Sequence, residues 1–340
     1  VTAPQTSQGP PLTGQVANSS ETPPTEVGGL ALLDGVLMRS RTGFATARRL
    51  ADGRIHLTQV PLPRRASPLG VLLHLPILRG LLALGDIVTI GTRALVPAAG
   101  APPRRRAMLL GLALALAVLL LLVLPSTGAA LLAAWWGWSM PLALSLLDGA
   151  LRIAILVLYL MALGLIPDVR RLFAWHGAEH MAVWALEQGR DVTVGRAAAH
   201  PPIHPRCGTV MAGLLVVLAV VGFAIGDALA GPGLLAGAGV RVLLLPVLVG
   251  VSFECVRWAA RHRRLLLAKL LLAPGLALQH LTTRRPDAAQ LEVAIVALFA
   301  ALDLPPGATA ERTWMVRGLE DDDSAPGFRP RSPARPAHPA

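Results

Sequence analysis

Residues 104–125 read RRRAMLLGLALALAVLLLLVLP, three arginines and then an apolar run closed by a proline. From 109 to 124 there is no charged side chain. About 20 apolar residues in a helix cross the ~30 Å hydrocarbon core of a bilayer, so this stretch reads as a membrane-spanning helix with a basic flank. Three other stretches share its length and composition. Spans are therefore expected near 107–124, 149–166, 209–227 and 238–256.

The composition supports that reading. Of 340 residues, 54% are hydrophobic and only 4% aromatic, with a mean hydropathy of +0.57. A soluble enzyme of this length would not show such an excess concentrated in bilayer-length runs. The formal net charge is +11, yet Lys269 is the single lysine among 31 basic residues. Without an RNA- or DNA-binding module beside it, that charge is not a nucleic-acid signal, and no nucleic-acid partner is expected. Cys207 and Cys255 are the only cysteines, too few for a disulfide framework.

Basic residues set the expected orientation, because Arg and Lys are retained on the cytosolic side. Twelve arginines flank the spans on one side: Arg104, Arg105 and Arg106; Arg170, Arg171, Arg190, Arg196 and Arg206; and Arg257, Arg261, Arg263 and Arg264. The opposite loops, 125–148 and 228–237, contain none. Both termini are then cytosolic, in a multi-pass protein whose immediate partner is the lipid bilayer. The apolar stretch 129–147 is expected to be an outer interfacial segment and not a fifth span, since Trp135, Trp136 and Trp138 suit the headgroup level and Pro141 interrupts it.

The remaining chain divides by pattern. Residues 1–26 are rich in Pro, Thr and Ser without an apolar core, and read as a disordered tail and not as a signal peptide. Residues 27–66 are expected to form a small cytosolic β-containing unit, because Phe44 to Leu50 and Ile55 to Val60 flank the hairpin signal Asp52-Gly53. Residues 67–304 form the membrane domain with its interfacial helices. Within it, Arg79, Asp86 and Arg93 recur every seven residues in 69–98, which suggests an amphipathic interfacial helix. Pro274-Gly275 is expected to cut 265–281 into two helical pieces. Leu291, Ile295, Leu298 and Leu302 predict an amphipathic helix over 287–303, with Glu292 near its apolar edge. Residues 305–340 read as a second disordered tail. The fold class is thus mainly α, a polytopic membrane protein of about four spans with a small β-hairpin unit.

Chemistry concentrates in 167–208. His176-Gly177-Ala178-Glu179-His180 is an H-x-x-E-H pattern. On a helix its two histidines share one face at i and i+4, close enough to bind one metal ion. Glu179 then stands where the inverted zinc-protease signature has the general base that deprotonates metal-bound water. The alternative is two helical histidines making ordinary hydrogen bonds. A second group, His204-Pro205-Arg206-Cys207, lies in a proline-rich loop before the third span, and its imidazole and thiol suit zinc. Glu254 is an acid in or beside the membrane, a functional candidate unless it pairs with a neighbour such as Arg257. The expected ligands are His176, His180, His204, Cys207 and Glu254, around a divalent metal with zinc favoured.

These residues also occur in an ordered series. Gly28-Gly29, Leu33 to Arg39, Arg79-Gly80, His176 to His180, His204 to Thr209, Glu254, Ala273-Pro274-Gly275 with Gln279, Thr282-Thr283 and Gln290 to Ala294 together resemble the YqhQ-like family. The resemblance covers roughly 27–304. It implies a bacterial membrane protein of a group predicted to be metal-dependent enzymes, without a demonstrated reaction. Asp34 stands where the family usually has Glu, and Met181 where Lys is usual. Among the residues that carry the resemblance, Asp34, Arg39, Arg79, Arg206 and Glu292 are further candidate polar site residues. Two functions follow: a metal-dependent, hydrolase-like enzyme at the cytosolic membrane face acting on a membrane peptide or a lipid-linked molecule, or a non-catalytic membrane assembly or scaffold factor braced by a structural metal or polar network.

Overall fold

The computed structural model describes residues 27–62, 75–85, 89, 108, 111–112, 115–138, 140–189, 192–230, 234–304 and 311–316. The expected tail 1–26, most of the expected tail 305–340, Asp86 and Arg93 lie outside them. In chain order the elements begin with strands β1 (Gly28–Leu32), β2 (Gly35–Arg39), β3 (Gly43–Arg49) and β4 (Ile55–Pro61). Helices α1 (Pro76–Gly85) and α2 (Ala115–Trp136) follow. Next come α3 (Pro141–Leu163), α4 (Pro167–Gln188), α5 (Val194–Ala198), α6 (Gly208–Ala230), α7 (Leu234–Arg261), α8 (Leu266–Thr282) and α9 (Ala288–Leu302), and last β5 (Arg312–Val316).

Two compact units result. The first gathers Val1–Ala66, Pro167–His204 and Thr283–Ala340; the second gathers Ser67–Ile166 and Pro205–Thr282. Residues 167–204 and 283–304 thus group with the strands and not with the apolar helices. A hydropathy reading assigns them to the membrane domain because they are interleaved with spans in the chain.

In the first unit the five strands form an antiparallel meander in the order β1-β2-β3-β4-β5. The hairpin expected at Asp52-Gly53 is present, with Gly53 at φ 81°, in the left-handed region glycine tolerates. Two features go beyond the expected hairpin. Leu33-Asp34 makes a second tight turn between β1 and β2, and β5 pairs with β4 from a segment expected to be tail. Val36, Met38, Ala45, Ala47, Ile55 and Leu57 are buried with α9 and α4 in one core.

Helix α9 starts at a capping box, where Asp287 accepts the Gln290 N–H and Gln290 accepts the Asp287 N–H. It is not half-exposed as its spacing suggests. Leu291 and every residue from Val293 to Ala301 are buried, and its fully buried Leu and Ile side chains each contribute about 1.5–3 kcal/mol. Its last carbonyls are covered by the sheet: Gln59 Nε2 donates to Ala300 O at 2.6 Å and Ser40 Oγ to Ala301 O at 2.7 Å. Glu292 leaves the core to pair with Arg49 of β3.

Among the described residues, the second unit contains four helices long and apolar enough to cross a membrane: Ala115–Trp136, Ala143–Leu163, Gly208–Ala228 and Gly239–Arg261. The first runs past the expected end at 124 as far as Trp136, so the expected outer segment supplies its second half. Pro125 does not end the helix, because a π turn at Leu119–Val123 precedes it and the Leu124 N–H reaches back to Leu119 O. Gly137, at φ 69°, ends it, and Pro141 opens α3 at the helix N-terminus, where proline fits. Helix α8 is likewise one element, with Pro274 inside it. The reason lies at Gly275, where an added Cβ would stand 2.2 Å from Val210 Cα. Gly213 meets Gly275 in the same way, so Pro274-Gly275 serves a close helix crossing and not a break.

Besides Glu254, the spans carry further charged side chains. Asp148 and Arg152 of α3 are buried and hydrogen-bonded at 2.7 Å. Arg241 of α7 donates to Asp227 of α6 at 2.7 Å. A charged residue at the centre of a membrane helix costs about 2.5–3.5 kcal/mol, which pairing offsets. On α1, both nitrogen donors of the Arg79 fork engage Glu254 of α7. Arg79 therefore does not lie on an open polar stripe.

Candidate metal centre

Helix α4 carries His176, Glu179 and His180, as the H-x-x-E-H spacing requires. The His176 and His180 rings are 4.4 Å apart between centroids, and one ring nitrogen of each lies within 4.8 Å of the other. The stripe extends further than the motif. His176, His180, Trp184 and Glu187 follow one another at spacings of 4, 4 and 3, which keeps them on one helical face. The proline-rich loop after α5 packs on this face. Trp184 Nε1 donates to Ile203 O at 2.8 Å, the His204 ring lies 5.8 Å from that of His180, and His204 Nε2 stands 3.3 Å from Glu187 Oε1.

His180 has the geometry of a metal ligand. Its Nδ1 lies 2.7 Å from the Pro202 carbonyl oxygen. A carbonyl only accepts, so in the neutral ring Nδ1 carries the proton and Nε2 carries the lone pair. That Nε2 is buried and has no hydrogen-bond partner among the described residues. A backbone carbonyl that fixes the tautomer and leaves the other nitrogen open is the usual outer support of a metal-bound imidazole. The donor set beside it is nitrogen-rich, which suits zinc or a similar divalent ion.

Glu179 is enclosed. Its side chain is buried beneath β1, where an added Cβ on Gly29 would stand 2.6 Å from Glu179 Cγ. Burial pushes its carboxyl up to about 7, against the opposing pull of the His176 charge and a hydrogen bond from the Gly29 N–H. Its Oε2 stands 3.9 Å from His180 Nε2. Gly177 fills the remaining gap in the motif: a Cβ there would lie 2.0 Å from Arg284 O, and the Arg284 N–H donates to Phe173 O at 2.9 Å.

The remaining expected site residues are Cys207, Arg206, Glu254, Asp34, Arg39 and Glu292. Cys207 belongs to the second unit, where its Sγ accepts the Thr209 N–H at 3.3 Å, as does Arg206 beside it. Glu254 accepts from Arg79 on both carboxylate oxygens, a different partner from the Arg257 that the sequence suggests. Asp34 is exposed on the β1–β2 turn, 3.5 Å from Arg171. Arg39 ends β2 opposite Gly28 and Phe44, and Glu292 is held by Arg49. Sequence reasoning missed Glu187 and Trp184, although their helical spacing was readable. It could not have found the Pro202 carbonyl or the Gly29 N–H, which carry no side-chain signature.

Four apolar helices of bilayer length, with a small antiparallel sheet beside them in the chain, define a multi-pass α-helical membrane protein. The chain belongs to DUF1385, a family described as proteins of unknown function, which matches residues 75–304. It is also 29% identical over 295 residues to "Uncharacterized protein YqhQ" of Bacillus subtilis (strain 168), covering 80% of this chain and 91% of that protein. The resemblance to the YqhQ-like family is thereby borne out. No solved structure matches the chain.

Proposed function

We infer that the first unit holds a divalent metal, zinc by its donor chemistry, and that the protein is a metal-dependent hydrolase of the inner membrane. The observation that carries this reading is His180 Nε2, buried and without a hydrogen-bond partner among the described residues, while Nδ1 is committed to the Pro202 carbonyl. His176 and His180 are the core ligands. His204 completes the nitrogen set, and Cys207, three residues further along the chain, is the thiol that sequence order brings into consideration. A bound divalent ion would supply Lewis-acid polarisation of a scissile carbonyl or phosphoryl group. Glu179, with its carboxyl near 7, exchanges a proton close to neutral pH and is assigned as the base. A membrane peptide or a lipid-linked molecule is the substrate class.

The cytosolic placement is supported by charge. With the spans as found, the connections at 137–140 and 231–233 carry no Lys or Arg, while Arg170, Arg171, Arg196 and Arg206 lie between the second and third spans. Helix α4 begins four positions after the second span ends.

The enclosure of Glu179 and His180 favours one competing reading, an assembly factor braced by a structural metal. X-ray absorption of the zinc-loaded protein separates the two, since a catalytic ion keeps a position for solvent and a structural one is closed by four protein ligands. Three protein ligands plus a light oxygen scatterer supports the hydrolase. Four protein ligands rejects it in favour of the assembly factor.

A further inference from the structure

The charged residues inside the spans take no part in the metal centre. Asp148 and Arg152 lie one turn apart on α3, about 10 and 16 Å from its start at 1.5 Å per residue. Asp227 lies near the end of α6 and Arg241 near the start of α7, so the group belongs to the end of the bundle where these two helices connect. Arg152 Nη2 donates to Asp148 Oδ2 at 2.7 Å, and Arg241 Nη2 donates to Asp227 Oδ2 at 2.7 Å. Arg241 Nη1 donates to Ser126 Oγ, which donates in turn to Asp148 Oδ1 at 3.0 Å. Both guanidinium groups lie over the Phe223 ring, at 4.9 and 5.7 Å from its centroid. Phe223 and Asp148 hold two like charges together that would otherwise separate.

Among the described residues the hydrogen bonds do not close. Nε and Nη1 of Arg152, Nε of Arg241 and Oδ1 of Asp227 are buried and have no partner among the described residues. Arg152 as a whole is only 2% exposed. A network that served only to join helices would satisfy these groups internally, because lipid offers no substitute. What remains unpartnered among the described residues is three guanidinium nitrogens and one carboxylate oxygen. Two arginines and two aspartates already balance in charge, so an added anion alone would leave a net charge buried, whereas a zwitterion would not.

We propose that this cluster binds a zwitterion, with its oxyanion on the open N–H groups of Arg152 and Arg241 and its primary ammonium on Asp227 Oδ1. The headgroup of an ethanolamine phospholipid has that chemistry, and so does soluble phosphoethanolamine.

The test uses the full chain, delipidated in detergent. Native mass spectrometry reads binding of phosphatidylethanolamine and phosphatidylglycerol, and calorimetry reads binding of O-phosphoethanolamine. Phosphatidylethanolamine should bind saturably and about tenfold more tightly than phosphatidylglycerol, and Arg152→Lys or Asp227→Asn should each weaken it about tenfold, the usual effect of losing one charged hydrogen bond. Equal affinity for O-phosphoethanolamine identifies a free solute as the ligand; binding of the lipid alone identifies the headgroup. If Arg152→Lys is not monodisperse, Asp227→Asn decides, because it leaves the Arg152–Asp148 pair intact. Equal binding of phosphatidylglycerol, no binding of either ethanolamine probe, or unchanged affinity in Asp227→Asn would overturn the proposal.

Discussion

The backbone N–H of Gly29 donates to the carboxylate of Glu179, joining the first strand of the sheet to the acid of the H-x-x-E-H helix across 150 residues of chain. The strand lies so close that no Cβ fits between them. Gly29→Ala should therefore displace the Glu179 side chain or the strand, at a cost of about 1–3 kcal/mol typical of overpacking. Chemical denaturation of the purified protein measures it. A variant as stable as the wild type would contradict the close approach.

That contact marks the limit of what the sequence could reveal. The third span is legible to within one residue at each end, because a continuous apolar run is read by length alone, while the fourth continues to Arg261, past the expected end at 256. The first extends past its expected end because the tryptophans and Pro141 of 129–147 read as interfacial, whereas a π turn at Leu119–Val123 lets the helix continue to Trp136. The histidine pair was legible from i, i+4 spacing, and the supporting groups were not, since a carbonyl such as that of Pro202 has no letter of its own. Arg152 and Arg241 were hidden within runs whose average apolarity concealed them. Strand β5 was hidden by the acidic and proline-rich sequence that follows it.

Helix α9 owes its place to burial, with Leu298 fully enclosed. Leu298→Ala should destabilise the first unit by about 2–5 kcal/mol, the range for emptying a well-packed leucine site. Hydrogen exchange of the β2 and β3 amides should accelerate in proportion. Unchanged protection would mean that α9 contributes little to the sheet.

His56 on β4 gives a pH effect. Burial holds its imidazole below the usual 6.5, and Arg48, its cross-strand neighbour, adds to that. As the folded pKa is the lower one, the unfolded chain binds the proton first when pH falls below 6.5. Stability is lost over the window from 6.5 down to the folded value and is regained as pH rises through it. NMR titration of the ring should give a midpoint below 6.5 that moves upward in Arg48→Gln. A midpoint at or above 6.5 in the wild type would contradict the burial.

Reporter fusions test the orientation. Signals near residues 138 and 232 should be external, and those near 190 and 310 cytosolic, as the distribution of arginines requires. An external signal at 190 would reverse the proposed face of the metal centre.

The central claim is that His180 holds its Nε2 lone pair for a metal. Metal analysis of the full chain, purified without chelators, measures this most directly. The account predicts close to one zinc or similar divalent ion per chain, its loss in His180→Ala, and its retention in Glu179→Gln, because a base is not a ligand. A wild-type protein without metal, or a His180→Ala variant that keeps it, would contradict the account.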